Sequence, residues 1–508
     1  MRRSPSTLLV ALLSVSALTA ACGLKQDQLD ALKQQSNAPG TSTLTDGSST
    51  GGGTDPTTGS TGNPIGTTGG GSGASGIGAT TGATGTFTTG GSSSSGTSST
   101  SGTSGTSGTS GTSGTTGTSG TSGSTGAGAS TKCSTLGQNV VGVTPTEIRI
   151  GIHAPQTGTG APLPPSFADG VAIYWNSHKV CGRKVVVDFQ DDKYTPSTAR
   201  DVCGPMSRRD FIVIGAAGTD QIQSCATMPD IANNGVPYLS AGVTTNGLTG
   251  LKHYFATTLT YAQQATLVLQ NAKNQHLGLK KWAVVTSNTN NFKDAREAME
   301  GVLKAAGVPY VDIQVNATND NGIQSRAAQT GTQIATGGYD TVFLDTSPGY
   351  FIYESGTASK QGFTGTYTGP GVTMTEVTVA QLVCGATGGV VKANFLAPYP
   401  GIDKASPEFI AAANQAGKSY DDIYWSLWGL SQALDQALQN SSALTRPAFI
   451  SSLQNASLPG GVYPPVRFNG GHFGGTGAFS QTMNCTKAEP NAKGQPGAWD
   501  TVGGVLNK

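Results

Sequence analysis

The sequence predicts an α/β protein of two doubly wound parallel-sheet lobes with a hinge and an interlobe cleft, preceded by a segment with no fold of its own. Three observations carry that expectation. Strand-like and helix-like stretches alternate from residue 147 onward. The alternation restarts near residue 260. The about 375 residues from Cys133 to Lys508 exceed what a single core usually holds.

In the first half, "EIRIGIHA" (147–154) is apolar and β-branched, and "SFADGVAIYWNSH" (166–178) then has helical spacing. "RKVVVDFQDD" (183–192) reads as a strand, followed by a helix opened by Thr195, Pro196 and Ser197. "DFIVIGAAG" (210–218) is a buried strand, then a helix runs to Asn234, then comes "VPYLSAG" (236–242). In the second half, helical "YAQQATLVLQNAKNQHL" precedes the strand "KKWAVVTSN", and helical "KDAREAMEGVLKAAG" precedes the strand "VPYVDIQVNA". Helical "IQSRAAQTGTQIATGG" leads to the strand "YDTVFLDT". "GGVVKANFLAPYP" (388–400) is read as a final extended piece and "DDIYWSLWGLSQALDQAL" (421–438) as a long apolar-faced helix. Helices between strands make βαβ units, and ligands of such sheets sit at the carboxyl ends of the strands, at the switch point.

The N-terminal part follows other rules. Arg2 and Arg3, an apolar run from Leu8 to Leu18, and Ala20 and Ala21 before Cys22 have the layout of a secretory signal, too short to span a bilayer. Residues 1–21 are therefore expected to be a signal peptide, with Cys22 as the new N-terminus. This resembles the lipobox of bacterial lipoproteins, in which the cysteine is lipidated, although Thr19 stands where that pattern usually has Leu. Residues 22–132 are expected to be a Gly/Ser/Thr-rich disordered tether. From 37 to 131 the only charges are Asp46 and Asp55 and the only aromatic is Phe87, too little to bury. Glycine recurs every third residue from Gly102 to Gly126, but the run has no proline, which argues against a collagen helix. A coil of this length spans ~60 Å.

Composition narrows the function. A net charge of +1 with no basic block excludes nucleic acid as an expected partner. Beyond Cys22 there are six cysteines, none in a CxxC or Cys/His cluster, which favours disulfides over metal. The five histidines are scattered, with His153 expected to face the cleft; Asp191 and Asp192 read as solvated turn acids. "AGKS" (416–419) lacks the glycine of a phosphate loop, and no nucleophile, base and orienter come together, so no catalytic residue, cofactor or metal is expected.

"IRIGIHAPQTG", "VDFQDD", "TPSTA", "FIVIGAAGT", "GVPYLSAGVT" and "HYFATTLTYAQQATL" together resemble, in order and spacing, the type I periplasmic binding proteins. The nearest branch is that of the branched-chain amino-acid and amide binders of ABC importers. The resemblance implies three crossings between lobes, near Thr260, Leu396 and Phe479. Lobe I would be 133–260 plus 396–478 and lobe II 261–395 plus 479–508, with the helix 421–438 returning to lobe I. It implies that a ligand carboxylate is held at Ala217, Gly218, Thr219, Gly242 and Thr244, with an aromatic wall from Phe292 and Tyr350. The family's acidic positions, which hold a ligand ammonium, fall on Tyr261 and Gly371. The zwitterionic reading is thereby weakened against a neutral or anionic ligand, with Asp345 or Glu354 near enough to restore an acid. The same topology implies disulfides Cys203–Cys225, Cys384–Cys485 and Cys133–Cys181.

The implied function is that of an extracytoplasmic substrate-binding lipoprotein of an ABC importer, not an enzyme. It would close on an amino acid, amide or related organic acid and be read by a permease. It would be a monomer held to the outer face of the cell membrane through lipidated Cys22 alone. A ligand-sensing surface receptor of the same fold is the alternative.

Overall fold

The computed structural model describes residues 132–157, 166–318, 320–489 and 495–508. The expected signal segment, Cys22 and the tether up to residue 131 lie outside the described residues.

The first sheet is assembled from β1 (Glu147–Ala154), β2 (Lys179–Val180), β3 (Arg183–Asp191), β4 (Ile212–Gly215), β5 (Tyr238–Ser240) and β6 (Tyr254–Ala256). Their order is β2-β3-β1-β4-β5-β6, parallel except for β2 against β3. β4 and β5 are buried throughout, which explains why they read as apolar runs without alternation. The helices are α1 (Ser166–Trp175), α2 (Pro196–Arg209), α3 (Thr219–Ala226) and α4 (Pro229–Asn233). The single helix expected to reach Asn234 is broken at Thr227 and Met228, where Pro229 starts a new one.

The chain then leaves for the second sheet. Thr260 caps α5 (Tyr261–Asn274) in a reciprocal capping box with Gln263, fixing Tyr261 at the first helical position. β7 (Trp282–Ser287), α6 (Lys293–Ala305), β8 (Tyr310–Val315), α7 (Ile323–Thr336), β9 (Thr341–Asp345), α8 (Pro348–Lys360), β10 (Thr366–Pro370), α9 (Val377–Thr387) and β11 (Lys392–Ala397) follow. After β11 the chain returns to the first lobe with α10 (Pro407–Gln415), α11 (Asp422–Asn440) and α12 (Arg446–Gln454), and a short ribbon of β12 (Ser457–Leu458) and β13 (Val466–Arg467). α11 packs on α1, with Trp428 edge-on to Tyr174 at 5.0 Å. The last crossing delivers β14 (Gly477–Asn484) and β15 (Ala498–Asn507), which complete a second sheet of order β15-β14-β11-β10-β9-β7-β8. Both added strands are antiparallel, so the extended piece at 388–400 is not the last strand of its sheet.

Disulfides join Cys203 in α2 to Cys225 in α3, Cys384 in α9 to Cys485 after β14, and Cys133 to Cys181 in the turn before β3. Among the described residues no helix is long and apolar enough to cross a membrane.

Candidate functional site

Each sheet has a point where the chain reverses its winding direction: beside β1 in the first and beside β7 in the second. The loops leaving the carboxyl ends of strands at both points meet at one pocket. From the first lobe it takes Ala217, Gly218 and Thr219 after β4, and Ala241 and Val243 after β5; from the second it takes Tyr261, Phe292 and Thr346. Tyr194, Val372 and Thr373 complete the facing walls.

Gly218 makes the turn. Its φ of +86° is one that residues with a Cβ rarely adopt, and it stands at the N-cap of α3. The backbone N–H groups of Ala217, Gly218 and Thr219 have no acceptor among the described residues, so the turn presents donors and the positive end of a helix. Thr219 and Tyr261 bring their hydroxyls to 3.3 Å, and the Tyr261 ring lies against Phe292 with centroids 6.1 Å apart.

The remaining expected residues lie elsewhere. Gly242 gives its N–H to Thr258 Oγ1 at 2.7 Å, and the buried Thr244 hydroxyl accepts from the Asn246 N–H at 3.0 Å. Their neighbours Ala241 and Val243 line the pocket instead, because side chains on extended backbone alternate in direction. Tyr350 belongs to the second core. Ser347 caps α8 and Pro348 opens it, which turns Tyr350 onto α7, where its hydroxyl meets Thr330 at 2.7 Å. His153 does not reach the cleft; it is fully buried, with Nδ1 2.8 Å from Asp192 and Nε2 2.6 Å from the Tyr238 hydroxyl. Asp192 is therefore a buried partner and not a solvated turn acid, whereas Asp191 accepts from the N–H groups of Gln156, Thr157 and Lys193. His153 also lies close to Cys203 and Cys225, but both sulfurs are held in a disulfide and offer no thiolate.

Gly371 has no room for the acid that the resemblance places there: a Cβ would lie 2.8 Å from the Leu396 carbonyl oxygen. Asp345 ends β9, just before the pocket residue Thr346; it is almost fully buried, and its Oδ2 has no hydrogen-bond partner among the described residues. Burial, with Asp294 nearby, pushes its carboxyl well above the ordinary range. Burial likewise raises the Tyr261 phenol, with Asp345 adding to the effect.

Sequence reading missed Tyr194, Thr346, Val372 and Thr373. They sit in loops whose only signal was their place after a strand, and Tyr194 has a φ of +57° that no pattern announced.

Across the rim the lobes are tied by hydrogen bonds. The Thr245 N–H and hydroxyl donate to Asp294, the Asn246 amide donates to the Asn290 carbonyl at 2.9 Å, and the Asn291 amide donates to Asp220.

The chain matches the family described as periplasmic binding protein over residues 147–495. No curated protein matches it. Among solved structures it resembles a fatty acid ABC transporter substrate-binding protein from Thermomonospora curvata, with a TM-score of 0.61 at 17% identity, covering 74% of this chain and 96% of that one. A solute-binding protein of an ABC transporter from Rhodopseudomonas palustris, in complex with 3,4-dihydroxybenzoic acid, gives 0.57 at 17% identity over 71% and 97%. A leucine-binding protein from Thermotoga maritima gives 0.55 at 15% identity over 71% and 98%.

Proposed function

The chain belongs to the periplasmic binding protein family, and from that premise we propose that it is an extracytoplasmic substrate-binding lipoprotein of an ABC importer. The observation that supports this most directly is the convergence of loops from both sheets on one pocket containing a turn of unpartnered N–H groups. A small molecule that touches Ala217–Thr219 on one side and Tyr261, Phe292 and Thr346 on the other stabilises the closed arrangement by its differential affinity. The lobes are those expected, 133–260 plus 396–478 and 261–395 plus 479–508, with the two later boundaries moved to 397/398 and 476/477 so that β11 and β14 stay whole in the second sheet. The hinge lies at the three crossings, and the closed face is what a permease reads. Residues 22–132 act as the tether from lipidated Cys22, which keeps the monomer near its permease.

The test is thermal unfolding of the full oxidised chain against amino acids, amides, polyols and carboxylic acids. A ligand at 100 times its dissociation constant adds about 2.7 kcal/mol, enough for a shift of a few degrees. A shift confined to one chemical class, with the compound recovered unchanged, is the expected result. Recovery of a converted product, or no shift with any class, would refute the reading.

A further inference from the structure

The pocket does not end at the polar turn. Ala216, Ala241, Val372 and Thr373 also border a second chamber. Its far wall is one face of α11, where Ile423, Ser426, Leu427 and Leu430 follow helical spacing, opposed by Phe167 and Tyr463. On this wall Ser426 Oγ and the Tyr463 hydroxyl satisfy each other at 3.0 Å, which leaves Ile423, Leu427, Leu430 and Phe167 as its apolar surface. Among the described residues no Asp, Glu, Lys, Arg or His lines either chamber.

We infer that the site takes an apolar monocarboxylate without an α-ammonium group, its carboxylate at the Ala217–Thr219 turn and its hydrocarbon chain or ring against Ile423, Leu427 and Leu430. This rests on the binding-protein reading above and names its ligand class. The chemistry follows from the two walls. Unpartnered N–H groups stabilise an anion without a buried cation, whereas an ammonium in the same space would meet no lining carboxylate and would lose its hydration uncompensated. The second chamber buries methylenes, each worth about a fourfold gain in affinity. Asp345 lies behind the lining, and burial pushes its carboxyl well above the ordinary range.

The experiment is calorimetric titration of the full oxidised chain with straight-chain monocarboxylates from acetate to decanoate, each paired with its α-amino counterpart. The expected result is affinity rising about fourfold per methylene until the chamber is filled, with each amino acid at least 100-fold weaker than its des-amino partner. Equal or tighter binding of the amino acids would overturn the inference and leave the binding-protein reading standing, with Asp345 ionised as the ammonium partner. Affinity independent of chain length would overturn the role of the second chamber. Leu427→Phe narrows that chamber and is expected to shorten the preferred chain; Leu430→Phe is the second variant should the first fold poorly. An unchanged preference in a folded variant would also overturn the inference. Binding of some other class, such as polyols, with none of these acids would overturn the inference alone. No binding by any compound in either panel would overturn both readings.

Discussion

Asp294, in the first turn of α6, accepts both the N–H and the hydroxyl of Thr245 from the other lobe, at 2.7 and 2.8 Å. These bonds join the two lobes across the rim of the cleft. Asp294→Ala is therefore expected to weaken ligand binding about tenfold, since bonds to a charged acceptor contribute about 1.5–3 kcal/mol. The melting temperature without ligand should change little. Titration of the ligand found by the unfolding screen, with small-angle scattering of both states, checks this. An unchanged dissociation constant would mean that the rim bonds do not bias closure.

Gly218→Ala tests the turn. At a φ of +86° a Cβ is strained, and it would also press on the folded-back Gln221 side chain. Loss of about 1–2 kcal/mol of stability is expected, with a larger loss of ligand affinity. Gln221→Ala relieves the crowding but not the backbone strain, so in the double variant affinity should not recover. Recovery would assign the effect to crowding alone.

The outline of the fold was legible from residues 147 to 345 because buried parallel strands and the helices between them keep different periods. It faded where those signals weaken. α8 begins at Ser347 and Pro348 and carries the aromatic-rich "PGYFIYES", apolar on more than one face because it is packed between layers. β14 and β15, "GAFSQTMN" and "AWDTVGGVLN", hold few β-branched residues among Gly, Asn and Asp, so no strand pattern advertises them. In the site, the turn 217–219 was readable as small residues after a buried strand. Tyr350 was not, because one turn of helix decides whether an aromatic faces a ligand or a core.

Glu354 gives the protein a pH dependence. It is fully buried on α8, and burial pushes its carboxyl up to about 8, the neighbouring Tyr367 offsetting part of the rise. The folded protein keeps this proton at pH values where the unfolded chain, at 4.5, has lost it. The contribution is therefore complete below about pH 4.5 and falls as pH rises towards 8, by up to about 1.4 kcal/mol per unit. Urea unfolding from pH 5 to 8 should show a slope that Glu354→Gln reduces. Identical slopes in the two proteins would assign the dependence to other groups.

Arg446 opens α12 and is almost fully buried. Its guanidinium donates to the carbonyls of Ser207, Phe211, Asn234 and Asp210, tying a returning helix to the first sheet. Arg446→Met leaves four acceptors to find other donors and is expected to cost about 3 kcal/mol in chemical denaturation. Arg446→Lys keeps the charge but not the planar fork and should recover less than half of that loss. Full recovery with Lys would show that charge, not fork geometry, holds the helix.

The Cys133–Cys181 bridge, with the Leu444 N–H bonded to the Ser134 carbonyl at 2.7 Å, sets where mechanical load enters the molecule. A pull along the chain from upstream arrives at a covalent clamp on the outer edge of the first sheet, beside β2 and β3. The pull would thus enter through one lobe alone, and the drag on the second lobe would reach that clamp only through the crossings between the lobes.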